Sequence, residues 1–181
     1  MSAEKARLRQ ELRRLAADLE PEVRKEADRR IVARVLALPS WKTAKTVLCF
    51  VSMPREPDTR LLLEAALAEG KVLLLPRCYG GGRMRALPVR NLDALEPGCL
   101  GIPEPPEPAE PAENDSEPDL ILVPCVGAGL DGRRLGNGAG YYDRYLAEHG
   151  GEKDCLCYRA CLRDNLPQDE HDILMDRVIT D

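Results

Sequence analysis

The chain has 181 residues, which is room for one ordinary domain, and 44% of them are hydrophobic, enough to build a core at this length. Lysine and arginine number 26 against 31 aspartates and glutamates, so the net charge of −5 disfavours a globally basic protein that binds nucleic acid. No apolar run approaches the roughly 20 residues of a membrane span, and the charged N-terminus lacks the apolar stretch of a signal peptide. Seven cysteines at irregular spacing indicate reduced thiols. We therefore expect a cytoplasmic protein with no nucleic-acid, membrane or obligate protein partner.

Two helices are predicted in the first forty residues, and two more further along the chain. In the first helix, leucines recur at steps of 4, 3 and 4, which places them on one face. These leucines are Leu8, Leu12, Leu15 and Leu19. Pro21 fits the first turn of the second helix. A third helix is expected between Thr59 and Gly70, and a fourth from Tyr141 to about His149.

Short apolar runs predict strands that are covered on both faces. They span residues 46–51, 71–76 and 120–123, and a further strand is predicted at 155–160. Because these strands alternate with helices, the expected fold is α/β, with a mainly parallel sheet and helices on both sides. Residues 83–95 are expected to form an antiparallel excursion from that sheet.

Other stretches are expected to carry no chemistry. Residues 101–118 are rich in proline and glutamate, a composition that resists both helix and sheet, so we expect a long solvated loop within the domain. Cys155, Cys157 and Cys161 have no paired C-x-x-C partner and are interpreted as core or surface thiols rather than metal ligands. His171 is expected at the surface, since no residue set for nucleophilic catalysis surrounds it.

A glycine-rich segment, Arg133-Arg-Leu-Gly-Asn-Gly-Ala-Gly-Tyr-Tyr-Asp-Arg144, is the strongest candidate for chemistry. Alternate glycines let backbone N–H groups approach an anion, and the helix that follows adds the positive end of its dipole. Phosphate is the expected guest. Asp143 fits beside phosphate if Mg²⁺ lies between them, because Mg²⁺ commonly joins carboxylates to substrate phosphates. The alternative is a tight structural turn; the glycine spacing matches neither a P-loop nor a dinucleotide-binding motif.

Two further places are candidate binding sites. Lys5 and Arg9 lie four residues apart on one helical face, where they form either a solvated basic face or a pair of phosphate ligands. Glu56 follows the first buried strand, and ligands of open parallel sheets collect beyond the carboxyl ends of the strands. Glu56 therefore either accepts hydrogen bonds from a ligand or interacts favourably with the start of the next helix.

These segments together resemble the 5-formyltetrahydrofolate cyclo-ligases, also called methenyltetrahydrofolate synthetases, along almost the whole chain. The glycine loop followed by Tyr-Tyr-Asp-Arg is specific, whereas the other segments are individually weak but occur in the right order. The matching segments are Lys5…Leu8-Arg9, Ser52-Met-Pro-Arg-Glu56-Pro-Asp-Thr59, Leu75-Pro-Arg77, Gly101-Ile-Pro-Glu-Pro105, Asp119-Leu-Ile-Leu-Val-Pro124, Arg134–Arg144, His171-Asp172 and Val178-Ile-Thr180.

The resemblance implies an ATP- and Mg²⁺-dependent ring closure. The formyl oxygen of 5-formyltetrahydrofolate attacks the γ-phosphate of ATP, and ADP leaves. A folate nitrogen then attacks the imidate phosphate, and phosphate leaves to give 5,10-methenyltetrahydrofolate. No nucleophilic side chain is needed, because the protein aligns the two ligands and neutralises phosphate charge.

The resemblance also implies roles for individual residues. Val51 and Glu56 would bind folate, and Asp143 and Asp172 would bind Mg²⁺. The residues implied for ATP are Lys5, Arg9, Arg134, Leu135, Gly136, Asn137, Gly138, Ala139, Gly140, Tyr141 and Tyr142. The implied fold is a single three-layer α/β/α domain over residues 1–181, similar to the ribose-isomerase and CoA-transferase group.

Two other functions remain open on sequence alone. The first is a folate-binding relative without turnover; Lys5, Arg9, Asp143 and Asp172 argue against it, because a pure binder would not need them. The second is a small-molecule kinase that uses the same phosphate loop, against which Glu56 in its Ser-Met-x-x-Glu context argues. ATP-dependent formation of the methenyl product distinguishes the enzyme from the binder, and a substrate screen by ADP release tests the kinase.

Overall fold

The computed structural model describes residues 3–107 and 117–181. The α-helices in these ranges are α1 (Ala3–Ala17), α2 (Pro21–Ala37), α3 (Pro39–Thr43), α4 (Arg60–Ala68) and α5 (Tyr141–Glu148). The strands are β1 (Thr46–Leu48), β2 (Val72–Cys78), β3 (Met84–Val89), β4 (Glu96–Pro97), β5 (Pro103–Glu104), β6 (Leu120–Pro124), β7 (Gly127–Ala128), β8 (Arg134–Leu135), β9 (Glu152–Leu156) and β10 (Arg177–Ile179). No helix in the described ranges is long and apolar enough to cross a membrane.

The main sheet has six strands in the order β10-β9-β6-β1-β2-β3. Strand β3 runs antiparallel to β2, and the other neighbouring pairs are parallel. Helices flank this sheet, so the predicted α/β fold with a mainly parallel sheet is confirmed, and so is the antiparallel excursion at 83–95.

The core is built on the three central strands, which are aliphatic on both faces. In β6 the residues Leu120 to Val123 are fully buried, and Leu73 to Leu75 of β2 are nearly so. A strand buried on both faces must be continuously apolar, and this is why the short apolar runs identified strands correctly. Leu12 of α1 and Trp41 of α3 are also buried.

Strand β1 is shorter than the run 46–51 predicts, because its last residues turn towards the cleft described below. Cys49 N still donates to Leu74 O at 3.0 Å, but the carbonyl of Phe50 accepts a hydrogen bond from the Thr59 hydroxyl at 2.6 Å. Thr59, the residue expected to begin the helix that is observed as α4, thus holds the backbone that follows β1. The regular pairing of β1 therefore ends before Phe50, although the Phe50 side chain is still buried in the core.

The predicted strand at 155–160 is wrong in its limits, since β9 spans Glu152–Leu156 and a 3₁₀ turn follows at Arg159–Cys161. Its first half is polar, so the search for apolar runs missed it. Gly151 explains the early start: its φ is 92°, and a Cβ there would lie 2.2 Å from Pro118 O. Only glycine allows this close approach at the entry to β9.

The expected solvated loop at 101–118 is partly wrong. Residues 108–116 lie outside the described residues, but Pro103–Glu104 pairs with Glu96–Pro97 as a short hairpin, and the Glu104 side chain is buried. The seven cysteines are all free thiols, and His171 is exposed, as expected.

A buried carboxylate on β9 leads to a prediction about pH dependence. Asp154 has no exposed surface; its Oδ2 accepts from Arg177 Nη1 at 3.2 Å, and its Oδ1 has no partner among the described residues. Burial raises the pKa of Asp154 to about 6 although Arg177 opposes the shift. An acid whose pKa is raised in the folded state destabilises the protein above that pKa, and the penalty vanishes as pH falls towards the unfolded value.

We therefore expect the Asp154→Asn variant to gain stability relative to the unmodified protein as pH rises. The gain in the free energy of unfolding between about pH 4 and about pH 8 should be roughly 1–3 kcal/mol, measured by urea denaturation. The control is Glu152→Gln. Glu152 also pairs with Arg177, but its carboxylate is partly exposed. A pH-independent difference for Asp154→Asn would contradict the prediction.

Candidate active site

A cleft lies beyond the carboxyl ends of β1, β2 and β6, the region where open parallel sheets bind ligands. Residues that end or follow these strands line it, including Phe50, Cys78 and Pro124. One wall is formed by the glycine loop, residues 136–140, together with the start of α5. The sheet thus brings the segment after β1 and the glycine loop to the same cleft.

The glycine loop joins β8 to α5, as predicted for a phosphate-binding loop before a helix. Gly138 and Gly140 have φ values of 101° and 73°, which favour glycine. At Gly136 a Cβ would lie 2.8 Å from Arg134 Nη1, so a side chain there would displace the Arg134 guanidinium. Between Gly138 and Gly140, next to the N-terminus of α5, the loop carries only the methyl group of Ala139.

Arg134 anchors the first turn of α5 to the sheet. Its Nη2 donates to Asp143 Oδ1 at 2.6 Å, and its Nη1 donates to Pro124 O at 3.1 Å. The guanidinium lies 5.8 Å from the ring centroid of Tyr142, whose hydroxyl is buried, and burial holds the pKa of that tyrosine well above its ordinary value. Neither Arg134 Nε nor the Tyr142 hydroxyl has a hydrogen-bond partner within residues 3–107 and 117–181.

Helix α1 brings the two predicted cations to the glycine loop and the C-terminal segment. Arg9 Nε donates to Gly136 O at 2.8 Å, and Lys5 Nζ pairs with Asp169 at 2.8 Å and with Asp172. Both cations are buried, at 4% and 8% exposed, so the interpretation as a solvated basic face is wrong.

The electrostatics around the two cations differ. Burial by itself would lower the pKa of Lys5, but the hydrogen bonds and charges of Asp169 and Asp172 outweigh it, so that the pKa is raised. The pKa of Arg9 is lowered by burial and by the neighbouring charge of Arg13. Lys5 is therefore held in a network of carboxylates, whereas Arg9 has a buried Nη1 without a partner among the described residues.

The charges of the two carboxylates predicted to bind Mg²⁺, Asp143 and Asp172, both act to raise the pKa of Arg9, although burial and Arg13 outweigh them. Each uses one oxygen in an ion pair: Asp143 Oδ1 with Arg134, and Asp172 Oδ2 with Lys5. No cluster of three or more metal-ligating side chains occurs in the described part of the chain. Such a donor set fits a Mg²⁺ ion that phosphate oxygens help to hold, rather than one held by protein alone.

Glu56 follows β1, lines the cleft and contacts the glycine loop through Asn137. Its carboxylate is only 8% exposed; Oε2 accepts from Met53 N at 2.9 Å and Oε1 from Asn137 Nδ2 at 3.3 Å. Burial raises the pKa of Glu56, and these two hydrogen bonds oppose the shift. The Tyr158 hydroxyl lies 2.7 Å from Asp28 Oδ1 and 3.1 Å from the carbonyl oxygen of Glu56, so its single proton is placed between these two acceptors.

The predicted site residues do not all reach the cleft. Lys5, Arg9 and Asp172 do not line it in the part of the chain that the structure describes; Arg9 contacts the wall of the cleft through its bond to Gly136, and Lys5 pairs with Asp172. Leu135 is buried in the core under the loop. The predicted residues that line the cleft are Val51, Glu56, Arg134, Gly136, Asn137, Gly138, Ala139, Gly140, Tyr141, Tyr142 and Asp143.

The sequence reasoning missed two acidic residues. Asp169 pairs with Lys5; its position three residues before Asp172 was the available signal. Glu104 lines the far wall of the cleft, where it accepts from Cys99 N at 3.1 Å and Cys78 N at 3.3 Å. Glu104 is one of several glutamates in a proline-rich segment, and nothing local marked it for this role.

Comparisons with known proteins identify the family of this chain. The model of the 5-formyltetrahydrofolate cyclo-ligase family matches residues 1–181. The 5-formyltetrahydrofolate cyclo-ligase of Escherichia coli K12 is 31% identical, over 90% of this chain and 92% of that protein. The probable 5-formyltetrahydrofolate cyclo-ligase of Schizosaccharomyces pombe is also 31% identical, over 83% of this chain and 81% of its own length.

A solved structure extends the likeness from sequence to fold. The NMR structure of 5,10-methenyltetrahydrofolate synthetase from Aquifex aeolicus superposes with a TM-score of 0.83 at 31% identity, covering 97% of this chain and 88% of that one. Sequence and fold therefore agree over the same length of chain. The chain belongs to the 5-formyltetrahydrofolate cyclo-ligase family.

Proposed function

We propose that the cleft beside the glycine loop is where this chain brings ATP and 5-formyltetrahydrofolate together. The observation that carries the proposal is that one loop contacts both candidate binding groups: Gly136 accepts from Arg9, and Asn137 donates to Glu56. A phosphate bound near Arg9 and a pterin bound near Glu56 would therefore lie next to each other at this loop. This is the arrangement that a direct transfer from ATP to a folate oxygen requires.

The family reaction is the ATP-dependent conversion of 5-formyltetrahydrofolate to 5,10-methenyltetrahydrofolate, and the chain is a ligase of this kind. The formyl oxygen takes the γ-phosphoryl group, ADP leaves, and closure of the ring by the second folate nitrogen expels phosphate. The protein supplies no nucleophile in this scheme. Its contribution is to orient two ligands and to stabilise phosphate charge.

The nucleotide side of the proposed site consists of the glycine loop and the cations of α1. Arg9 Nη1 and Arg134 Nε are buried donors without a partner in the described ranges. An unpaired buried donor costs roughly 1–3 kcal/mol, and a small movement towards phosphate oxygens would offset this cost. The residues proposed for ATP are Lys5, Arg9, Arg134, Leu135, Gly136, Asn137, Gly138, Ala139, Gly140, Tyr141 and Tyr142. Leu135 would contribute through its backbone, since its side chain is in the core.

Asp143 and Asp172 are the proposed ligands of Mg²⁺. When bound there, Mg²⁺ would neutralise charge on the phosphates as the γ-phosphoryl group is transferred. Arg134 and Lys5 hold the two carboxylates in place through their ion pairs.

Val51 and Glu56 form the proposed folate side. Glu56 presents a largely buried carboxylate with two of its acceptor positions already filled, which leaves others for pterin N–H groups. Val51 and Met84 supply apolar contact in the same cleft. A polar anchor in an apolar pocket is typical of small-molecule sites.

We extend the proposal to the whole chain as a single cyclo-ligase domain, residues 1–181, that acts in the cytoplasm. The family model matches that full range. The seven free cysteines support a reducing compartment.

A turnover assay tests the function directly. The protein is mixed with 5-formyltetrahydrofolate and ATP, with and without Mg²⁺, and the absorbance of the methenyl product is followed. We expect product to form only when ATP is present, and to require the cation. Folate binding without product would instead indicate a non-catalytic relative, and ADP release with another acceptor would indicate a kinase.

For the folate side, we expect Glu56→Gln to weaken folate binding about 10- to 100-fold and ATP binding much less. The amide replaces an acceptor with a donor, which then faces the donor Asn137 Nδ2. A hydrogen bond to a charged group contributes roughly 1.5–3 kcal/mol. Calorimetric titration with each ligand separately measures the two effects.

The control for this variant is Glu64→Gln on α4, where the carboxylate pairs with Arg60 at the surface. It should bind both ligands normally. Equal losses of folate and ATP affinity in Glu56→Gln would indicate a folding defect and contradict the assignment.

A further inference from the structure

Three side chains from distant parts of the chain form a continuous line of hydrogen bonds along the glycine loop. Arg13 Nη2 of α1 donates to Asn137 Oδ1 at 2.9 Å, and Asn137 Nδ2 donates to Glu56 Oε1 at 3.3 Å. Arg13 lies one turn beyond Arg9 on the same helix. It belongs neither to the residues implied for ATP nor to those implied for folate.

The chemistry of Arg13 determines which way the Asn137 amide is turned. A guanidinium has only donors, so the side-chain oxygen of Asn137 must face Arg13, and the NH₂ group must face Glu56. A turned amide would place donor against donor at Arg13 and acceptor against carboxylate at Glu56. Both hydrogen bonds therefore run from donor to acceptor in the same direction, from the Arg13 cation to the Glu56 carboxylate.

We propose that Arg13 is a positioning residue for folate binding, which acts through the Asn137 side chain to hold the Glu56 carboxylate as an acceptor for pterin N–H groups. This inference rests on the proposed role of Glu56 as the folate anchor. The proposal places one residue of α1 on the folate side of the site, whereas the other α1 residues of the site, Lys5 and Arg9, are proposed to bind ATP. It also gives Asn137 a function in folate binding beyond its place in the phosphate loop.

The surroundings of Glu56 define the expected pH dependence. Burial raises the pKa of Glu56; the Met53 N–H group, the Asn137 side chain and the charge of Arg13 lower it. The Tyr142 hydroxyl, which interacts electrostatically with Glu56, stays neutral because burial raises its pKa. Affinity that needs the ionised carboxylate falls as pH drops through the pKa of Glu56. Without Arg13, this fall should move to higher pH.

The test is a double-mutant cycle with Arg13→Ala, Asn137→Ala and the double variant. Binding of 5-formyltetrahydrofolate is measured by calorimetry without nucleotide between about pH 5.5 and about pH 8. Near neutral pH, we expect Asn137→Ala to lose roughly tenfold in folate affinity. Arg13→Ala should lose about two- to fivefold, as for a partly exposed charge. Because Arg13 acts through Asn137, its replacement should have little further effect in the Asn137→Ala background.

The matched control is Arg14→Ala, which removes the same charge from the neighbouring position, where Arg14 is exposed and pairs with Asp18. It should leave folate affinity and its pH profile unchanged. A merely structural role of Arg13 would lower the melting temperature without moving the pH profile. Additive losses in the cycle, or an unmoved pH profile for Arg13→Ala, would overturn the proposal.

Glu56→Gln, measured in parallel, separates this inference from the proposed function. If Glu56→Gln leaves folate affinity intact, Glu56 is not the folate anchor and the proposed folate site itself fails. If Glu56→Gln weakens folate binding but Arg13→Ala behaves like Arg14→Ala, the folate site stands and only the role of Arg13 is refuted.

Discussion

Replacing Asp143 with alanine is expected to lower ATP-dependent turnover by on the order of 10²-fold or more while folate binding stays largely intact. The carboxylate stands at the start of α5 beside the glycine loop, where it pairs with Arg134, and a bridging cation would offset its repulsion of bound phosphates. Turnover is measured over a series of Mg²⁺ concentrations, and folate binding by calorimetry. Near-normal turnover of the variant at limiting Mg²⁺ would refute the metal assignment.

The ion pair with Arg134 provides the control for this experiment. Asp143→Ala leaves Arg134 Nη2, on a nearly buried guanidinium, without its carboxylate partner, and this by itself destabilises the loop. Asp143→Asn retains an acceptor for Arg134 but is a much weaker ligand for Mg²⁺. Loss of turnover in both variants, with a normal melting temperature for Asp143→Asn, therefore points to the metal rather than to folding.

The combined change Lys5→Ala and Arg9→Ala is expected to raise the ATP concentration needed for turnover by more than tenfold. Both cations are buried; their loss would leave Asp169 and Asp172 without Lys5 and would remove the charge of Arg9 from the glycine loop. Folate affinity without ATP should change little. If the two residues were instead solvated, their loss would change the ATP dependence by only about twofold, because exposed charges typically contribute under about 1 kcal/mol.

The matched control removes two exposed arginines of the same helix, Arg7→Ala with Arg14→Ala, and so keeps the loss of charge equal. It should show ordinary ATP dependence. Deletion of residues 1–9 should reproduce the effect of the double change, since most of the apolar face of α1 remains. If the double variant Lys5→Ala with Arg9→Ala also shows ordinary ATP dependence, the two residues do not bind the nucleotide.

Local patterns identified the elements whose environment is uniform along their length. Leu120 to Val123 are buried on both faces, so an apolar run was a sufficient signal for β6. The polar first half of β9 failed this test, because Asp154 is paired across the sheet with Arg177 on β10 rather than being apolar. The start of that strand depends on the contact between Gly151 and Pro118, which no local periodicity encodes.

The same distinction applies to the cleft. The alternate glycines indicated a phosphate loop before a helix because their backbone requirements are local: Gly138 and Gly140 have positive φ. The residues that surround the loop come from far along the chain. Glu104, whose side chain is buried in the lining of the cleft, had no local feature that separated it from Glu107, which is exposed.

The sequence by itself determined the α/β class, the order of the main elements, the glycine loop and the resemblance to the cyclo-ligases, because these follow from residue type and spacing. Tertiary structure decided the partners of the charges: Lys5 with Asp169, Arg13 with Asn137, and Asn137 with Glu56 are separated by 164, 124 and 81 residues. The partner of a charged side chain depends on which elements packing brings together and how deeply it buries them. Spacing along one helix could place Lys5 and Arg9 on a common face, but only the fold could show that this face is buried against carboxylates.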